Sequence, residues 1–194
     1  MDTAVRSPLA QRAWDLLEAV PDPEIPVVSI RELGILRDVR ELPGPADAVE
    51  VVITPTYNGC PAMEQIADDV RAALAVQGIT GRVVTQLAPA WTTDWIGPQA
   101  REKLRQYGIA PPQPTACASG AASGGASEAS GAFRGASAQV LQFAPRRAVR
   151  ATPIACPRCG SHNTTETSHF GSTACKSLMR CLDCLEPFDY FKPY

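Results

Sequence analysis

The segment AVEVVITPTYNGCPAMEQI, residues 48–66, sets the fold. Its first part, VEVVI, is mostly β-branched and reads as a largely buried strand ending near Pro55. Its last part opens a helix at Pro61, with Met63, Ile66, Val70, Ala73 and Leu74 on one face and Gly78 as its stop. Between them Asn58-Gly59 marks a turn, and Cys60 sits where that turn meets the helix. Two readings of the thiol stay open. In one it is a small hydrophobe packed into a strand-to-helix corner. In the other the unpaired N–H groups and dipole of the helix mouth lower its pKa, making it a better nucleophile or metal ligand.

Upstream, Leu9, Ala13, Leu16, Leu17 and Val20 recur at helical spacing until PDP at 21–23 ends the pattern. From about Val27 to Leu42 the chain reads as extended pieces broken near Gly34, followed by a PGP turn at 43–45. Downstream, RVVTQLA at 82–88 reads as another strand. A third helix is predicted from about Thr93 to Tyr107, closed by Gly108. This order predicts an α+β protein: a small two-layer α/β domain over residues 1–110, its helices on a short mixed sheet, plus a C-terminal metal-bound β-ribbon.

Composition changes abruptly after residue 110. Residues 111–150 are rich in Ala, Ser and Gly and cannot bury enough surface to offset the entropy of ordering them, so they read as a flexible linker with Cys117 an incidental thiol. Residues 151–194 carry two C-x-x-C pairs, Cys156/Cys159 and Cys181/Cys184, with 21 residues between them. Each pair can present two thiolates from a tight knuckle, with Gly160 supplying turn freedom after the first. A tail of this length cannot support a core alone, so a bound metal must supply most of its folding energy. Structural zinc is the first expectation, with a rubredoxin-like iron or an iron–sulfur cluster as its rival. Cys175 is a surplus thiol, read either as a buried small residue or as an alternative ligand or metal-transfer thiol. His162 and His169 read as surface residues beside four available cysteines.

The formal charge of −2 hides an uneven distribution: 10 Lys+Arg against 16 Asp+Glu over residues 1–133, and 8 against 4 over 134–194. Arg146, Arg147, Arg150 and Arg158 give the tail some basic character, but without a dense basic-aromatic face, so nucleic acid is not the expected partner. The N-terminus lacks the layout of a secretory signal and no run approaches 18 apolar residues. With seven cysteines, this predicts a cytoplasmic, reducing location and no membrane contact. The chain has no pair of Glu-x-x-His helices for a di-iron centre, no G-x-G-x-x-G and no Walker loop. Potential edge strands make a homodimer an expectation.

Three stretches read together carry a family resemblance: DPEIPVVSIRELGI at 22–35, TPTYNGCPAMEQI at 54–66, and the tail CPRCG…FGSTACKSLMRC…CLEPFDYFK. The first two resemble the small α/β domain of iron–sulfur cluster assembly and maturation proteins, with its DPE loop and its cysteine after a TPT-like strand end. With the tail added, the pattern is similar to the PaaD family of bacterial phenylacetyl-CoA epoxidase (1,2-phenylacetyl-CoA epoxidase) systems. The resemblance implies a non-catalytic accessory factor that matures or maintains an iron–sulfur or di-iron centre of a multicomponent monooxygenase in phenylacetate catabolism. Its implied partners are the epoxidase subunits and the iron–sulfur assembly machinery. Cys60 would be the reactive thiol that contacts iron or a transient cluster. Thr54, Thr56 and Gly59 would shape its loop, and Asp22 and Glu24 would be family-typical polar neighbours. Cys156, Cys159, Cys181 and Cys184 would hold the tail metal. Two rival functions remain at this level: an interaction module without metal transfer, and a thiol-dependent enzyme using Cys60 with Asp22 or Glu24 as acid/base.

Overall fold

The computed structural model describes residues 6–44, 47–57, 59–113 and 153–194. Asn58, Cys117, Arg146, Arg147, Arg150 and nearly all of the expected linker lie outside them. Helix α1 (Pro8–Leu17) starts with Pro8 in the first turn, and its N-cap Ser7 accepts a hydrogen bond from the Ala10 N–H at 3.2 Å. Its apolar stripe, Ala10, Ala13, Trp14 and Leu17, is buried. The predicted period runs on to Val20, but the helix stops earlier, where the Val20 N–H turns back to the Leu17 carbonyl at 3.2 Å.

Strands β1 (Leu36–Glu41), β2 (Ala48–Ile53) and β3 (Thr80–Thr85) form a mixed sheet with β2 in the middle. β2 runs antiparallel to β1 and parallel to β3, and helix α2 (Ala62–Ala75) makes the crossover that a parallel pair requires. Val49, Val51 and Ile53 are fully buried at the sheet centre, as a β-branched run predicts. α1 packs on β1 and α2 on β3, giving the expected two layers.

Residues 27–34 depart from expectation. They form turns, not extended pieces. Ser29 and Glu32 cap each other: the Ser29 N–H donates to Glu32 Oε2 at 2.9 Å, and the Glu32 N–H donates to Ser29 Oγ at 3.2 Å. What reads in sequence as an extended approach to β1 is thus a locally closed loop. Glu32 meets Lys103 at 2.6 Å and Arg31 meets Glu18 at 3.6 Å. The third predicted helix is also broken. A short 3-10 turn (Thr93–Trp95) precedes α3 (Pro98–Tyr107), because Pro98 can start a helix but cannot continue one. Gly108, at φ 94°, closes α3 as expected.

The tail is an antiparallel ribbon of β5 (Thr164–Ser168), β6 (Lys176–Cys181) and β7 (Pro187–Phe191). A two-residue strand, β4 (Ile109–Ala110), pairs parallel with β7, so one four-stranded sheet joins the end of the front half to the tail. Phe191 and Cys175 sit in the same buried cluster as the front-half core. Trp91 lies 6.0 Å from Phe191 and donates its indole N–H to the Leu33 carbonyl at 2.8 Å. The Thr93 N–H donates to the Tyr194 carbonyl at 3.2 Å, and Tyr57 stacks on Tyr194 at 6.2 Å. The described residues before and after the linker make one compact unit.

Candidate functional site

The four knuckle cysteines converge. Cys156 Sγ and Cys184 Sγ stand 3.8 Å apart, Cys159 Sγ and Cys181 Sγ 3.6 Å apart, and all four sulfurs lie within 4.8 Å of one another. Four thiolates around a tetrahedral ion at about 2.3 Å would be separated by about 3.8 Å along each edge, so the set fits such an ion. The knuckles are closed by backbone bonds: Gly160, at φ 75°, donates to the Cys156 carbonyl at 2.9 Å, and the Cys184 N–H approaches Cys181 Sγ at 3.5 Å. That N–H and its neighbour at Asp183 bring the Cys181 thiol down to about 7. His162 and His169 are exposed and outside the cluster.

Cys60 lies one residue before the α2 N-cap, Pro61, and is half-buried. Its thiol pKa is raised, not lowered. Burial is the largest influence and pushes the thiol up, and the carboxylates of Glu24 and Asp22 push the same way. The helix mouth does contribute, through the Ala62 N–H, and the Tyr57 hydroxyl adds a hydrogen bond to the sulfur, but burial and the nearby negative charges outweigh both. Gly59, at φ 85°, supplies the left-handed residue that swings the chain into the helix. Thr54 and Thr56 are buried beneath this loop, and the Thr54 hydroxyl has no hydrogen-bond partner among the described residues.

The DPE loop is brought to the same place. Asp22 is 6% exposed and its Oδ1 accepts from the Glu24 N–H at 3.0 Å and the Ile25 N–H at 2.8 Å. It is a buried turn organiser. Burial raises the pKa of Asp22, and burial together with the Asp22 charge raises that of Glu24. Asp22, Glu24, Thr56 and Cys60 line one small cavity, walled by apolar residues such as Met63 and Phe191.

Sequence reasoning does not place Cys175 here. It lies in the tail, six residues before Cys181, yet it is buried in the Cys60 cavity and takes no part in the four-sulfur cluster. Its Sγ lies 3.8 Å from Glu24 Oε2 and 3.0 Å from Thr173 Oγ1, and burial raises its thiol to about 11. Tyr57 is missed outright, its one sequence signal being proximity to Cys60.

A mixed sheet with a cysteine at its strand-to-helix corner is thus joined to a ribbon whose four cysteines can hold a metal ion. Residues 10–86 match the family model described as "Iron-sulfur cluster assembly protein", and residues 143–192 match "PaaD zinc beta ribbon domain". A protein of Escherichia coli (strain K12), named as the D component of a "Putative 1,2-phenylacetyl-CoA epoxidase", is 42% identical over 97% of this chain and 95% of its own length. The chain belongs to the PaaD family, the D components of phenylacetyl-CoA epoxidase systems. An "Fe-S protein maturation auxiliary factor" of Porphyromonas gingivalis (strain ATCC BAA-308 / W83) is 34% identical over 46% of this chain and 84% of its own. A crystal structure of a domain of unknown function, DUF59, from Bacillus anthracis is 27% identical, covers 53% of this chain and 97% of that one, and has a TM-score of 0.46. Among the described residues, no helix is long and apolar enough to cross a membrane.

Proposed function

We propose that this protein is an accessory metallocentre maturation factor. It accepts iron or iron–sulfur cargo at Cys60 and delivers it to a metal centre of a multicomponent phenylacetyl-CoA epoxidase in the cytoplasm. The observation that carries the reading is the convergence of Cys60, Asp22 and Glu24 on one cavity, in a chain similar along nearly its whole length to an epoxidase D component. The similarity of part of the chain to a maturation auxiliary factor adds support. Within the site, Cys60 supplies the thiolate. Asp22 fixes the turn that aims Glu24 into the cavity, and Thr54, Thr56 and Gly59 hold the loop. The apolar walls keep water away from the sulfur. The ribbon is structural and holds zinc through Cys156, Cys159, Cys181 and Cys184, where the ion ties the two knuckles together.

A thiol enzyme is the weaker reading. Neither histidine lines the cavity, so the thiol has no neighbouring imidazole to act as its base. The test is co-production of the oxygenase with wild-type protein or with Cys60→Ser. The variant should fold, keep its ribbon metal and yield oxygenase deficient in iron. Fully loaded, active oxygenase made with Cys60→Ser would overturn the reading.

A further inference from the structure

We propose that Cys175 and Glu24 complete the Cys60 cargo site, so that a ferrous ion is held between a thiolate of the front half and a thiolate of the ribbon. This rests on the reading of Cys60 as a cargo thiol. Position, spacing, charge and access carry it.

Cys175 belongs to the ribbon by sequence, yet it points away from the ribbon's own cluster into the front-half core, where it is 4% exposed. Its sulfur and Glu24 Oε2 stand 3.8 Å apart. That is close to the edge of a tetrahedron with a thiolate at about 2.3 Å and a carboxylate oxygen at about 2.1 Å from its centre, so this pair is one ready edge of a cation site. Cys60 lines the same cavity, from the α2 side. Among the described residues only the four ribbon cysteines bring three or more ligand atoms that close together, so the Cys60 side must close on the ion as it binds.

Charge points the same way. Two carboxylates and two thiols share this cavity, and among the described residues the ammonium that acts on them is that of Lys176, which stands 3.5 Å from Asp189. An ordinary core would place apolar groups here, because gathering acids and thiols around one shared ammonium costs stability. A divalent ion would add positive charge, and sulfur ligands select a thiophilic one over magnesium or calcium.

Access is also built in. Glu24 lines both the cavity and an open groove of about 640 Å3 bordered by Tyr107, Phe170, Lys176 and Asp189. Glu24 thus borders both the groove and the cavity of the two sulfurs, where its carboxylate can receive a hydrated cation before the thiolates do. The ribbon thus contributes a ligand to the site as well as stability, and the site is incomplete without it.

The test is anaerobic titration of the full-length, zinc-loaded chain with cobalt(II) as a spectroscopic stand-in for ferrous iron. Wild type should take up one equivalent beyond the ribbon zinc, with sulfur-to-cobalt charge-transfer absorption of two-thiolate intensity. Cys175→Ser should halve that intensity and weaken binding at least tenfold. Glu24→Gln, which alters a half-exposed side chain and keeps the fold, should weaken binding at unchanged intensity. Melting temperature and zinc content serve as folding controls. Cobalt bound equally by wild type, Cys175→Ser and Glu24→Gln but lost in Cys60→Ser would overturn this proposal while leaving Cys60 as the cargo thiol. No uptake beyond the ribbon would also overturn it. Oxygenase loading with Cys60→Ser judges the proposed function separately.

Discussion

Asp22 shows how a single buried carboxylate can organise a functional loop. Both of its accepted hydrogen bonds come from its own turn, so Asp22→Ala leaves two N–H groups unpaired, that of Ile25 buried and that of Glu24 partly so. We expect that variant to lose about 2 kcal/mol of stability, and Asp22→Asn, which keeps an acceptor oxygen, to lose much less; thermal or denaturant melts will show the ranking. Gly34 is the second decisive residue. Its φ is 74°, and a Cβ there would lie 2.8 Å from Trp95 Cβ. Gly34→Ala combines left-handed strain with a clash that a backbone-attached carbon cannot escape, so a loss of about 2–3 kcal/mol is expected in the same melts. In the sequence Gly34 is legible as a break. Asp22 is legible as a carboxylate between prolines, but its burial is not, because burial there depends on Val28 folding back over it: the Asp22 N–H donates to the Val28 carbonyl at 2.9 Å.

At the scale of elements, β2 and α2 are readable because each carries one strong period over its whole length: β-branched run, turn, proline, helical face. The segment 27–34 is not, since its structure rests on reciprocal side-chain caps and a long-range ion pair that leave no periodic trace. That segment also gives a pH signature. The Glu32 carboxyl loses some solvation by burial, but Lys103 and the N–H of Ser29 more than compensate and hold its pKa below the usual 4.5. A carboxyl depressed by folding stabilises the fold above its unfolded pKa and loses that contribution as pH falls through the folded value. Wild type should therefore lose more stability than Glu32→Gln between about pH 5 and pH 3. Urea midpoints measured across that range will show the two curves approach each other at the acid end.

For the whole molecule, composition separates a front half from a four-cysteine tail but carries no sign of how they meet. The joining strand β4 is two residues long, too short for any alternation to register, and Phe191 and Tyr194 look like ordinary ribbon residues until their neighbours are known. Because Phe191 packs 6.0 Å from Trp91, the ribbon metal should be felt at a distance. Stripping it with a chelator, or substituting Cys156→Ser, should shift Trp fluorescence to the red and lower the melting temperature of the front half. An unchanged spectrum after complete metal loss would show that the β4–β7 junction survives without the ion.

The same junction sets a timetable. Residues 6–110 leave the ribosome well before β7, so the socket around Trp91 is made before the ring that fills it. Until the ribbon residues follow and their knuckles capture a metal, the nascent front half carries an uncovered apolar face in a crowded cell. Limiting metal during expression should therefore lower the yield of folded protein, which the soluble fraction from cultures with and without added zinc will show.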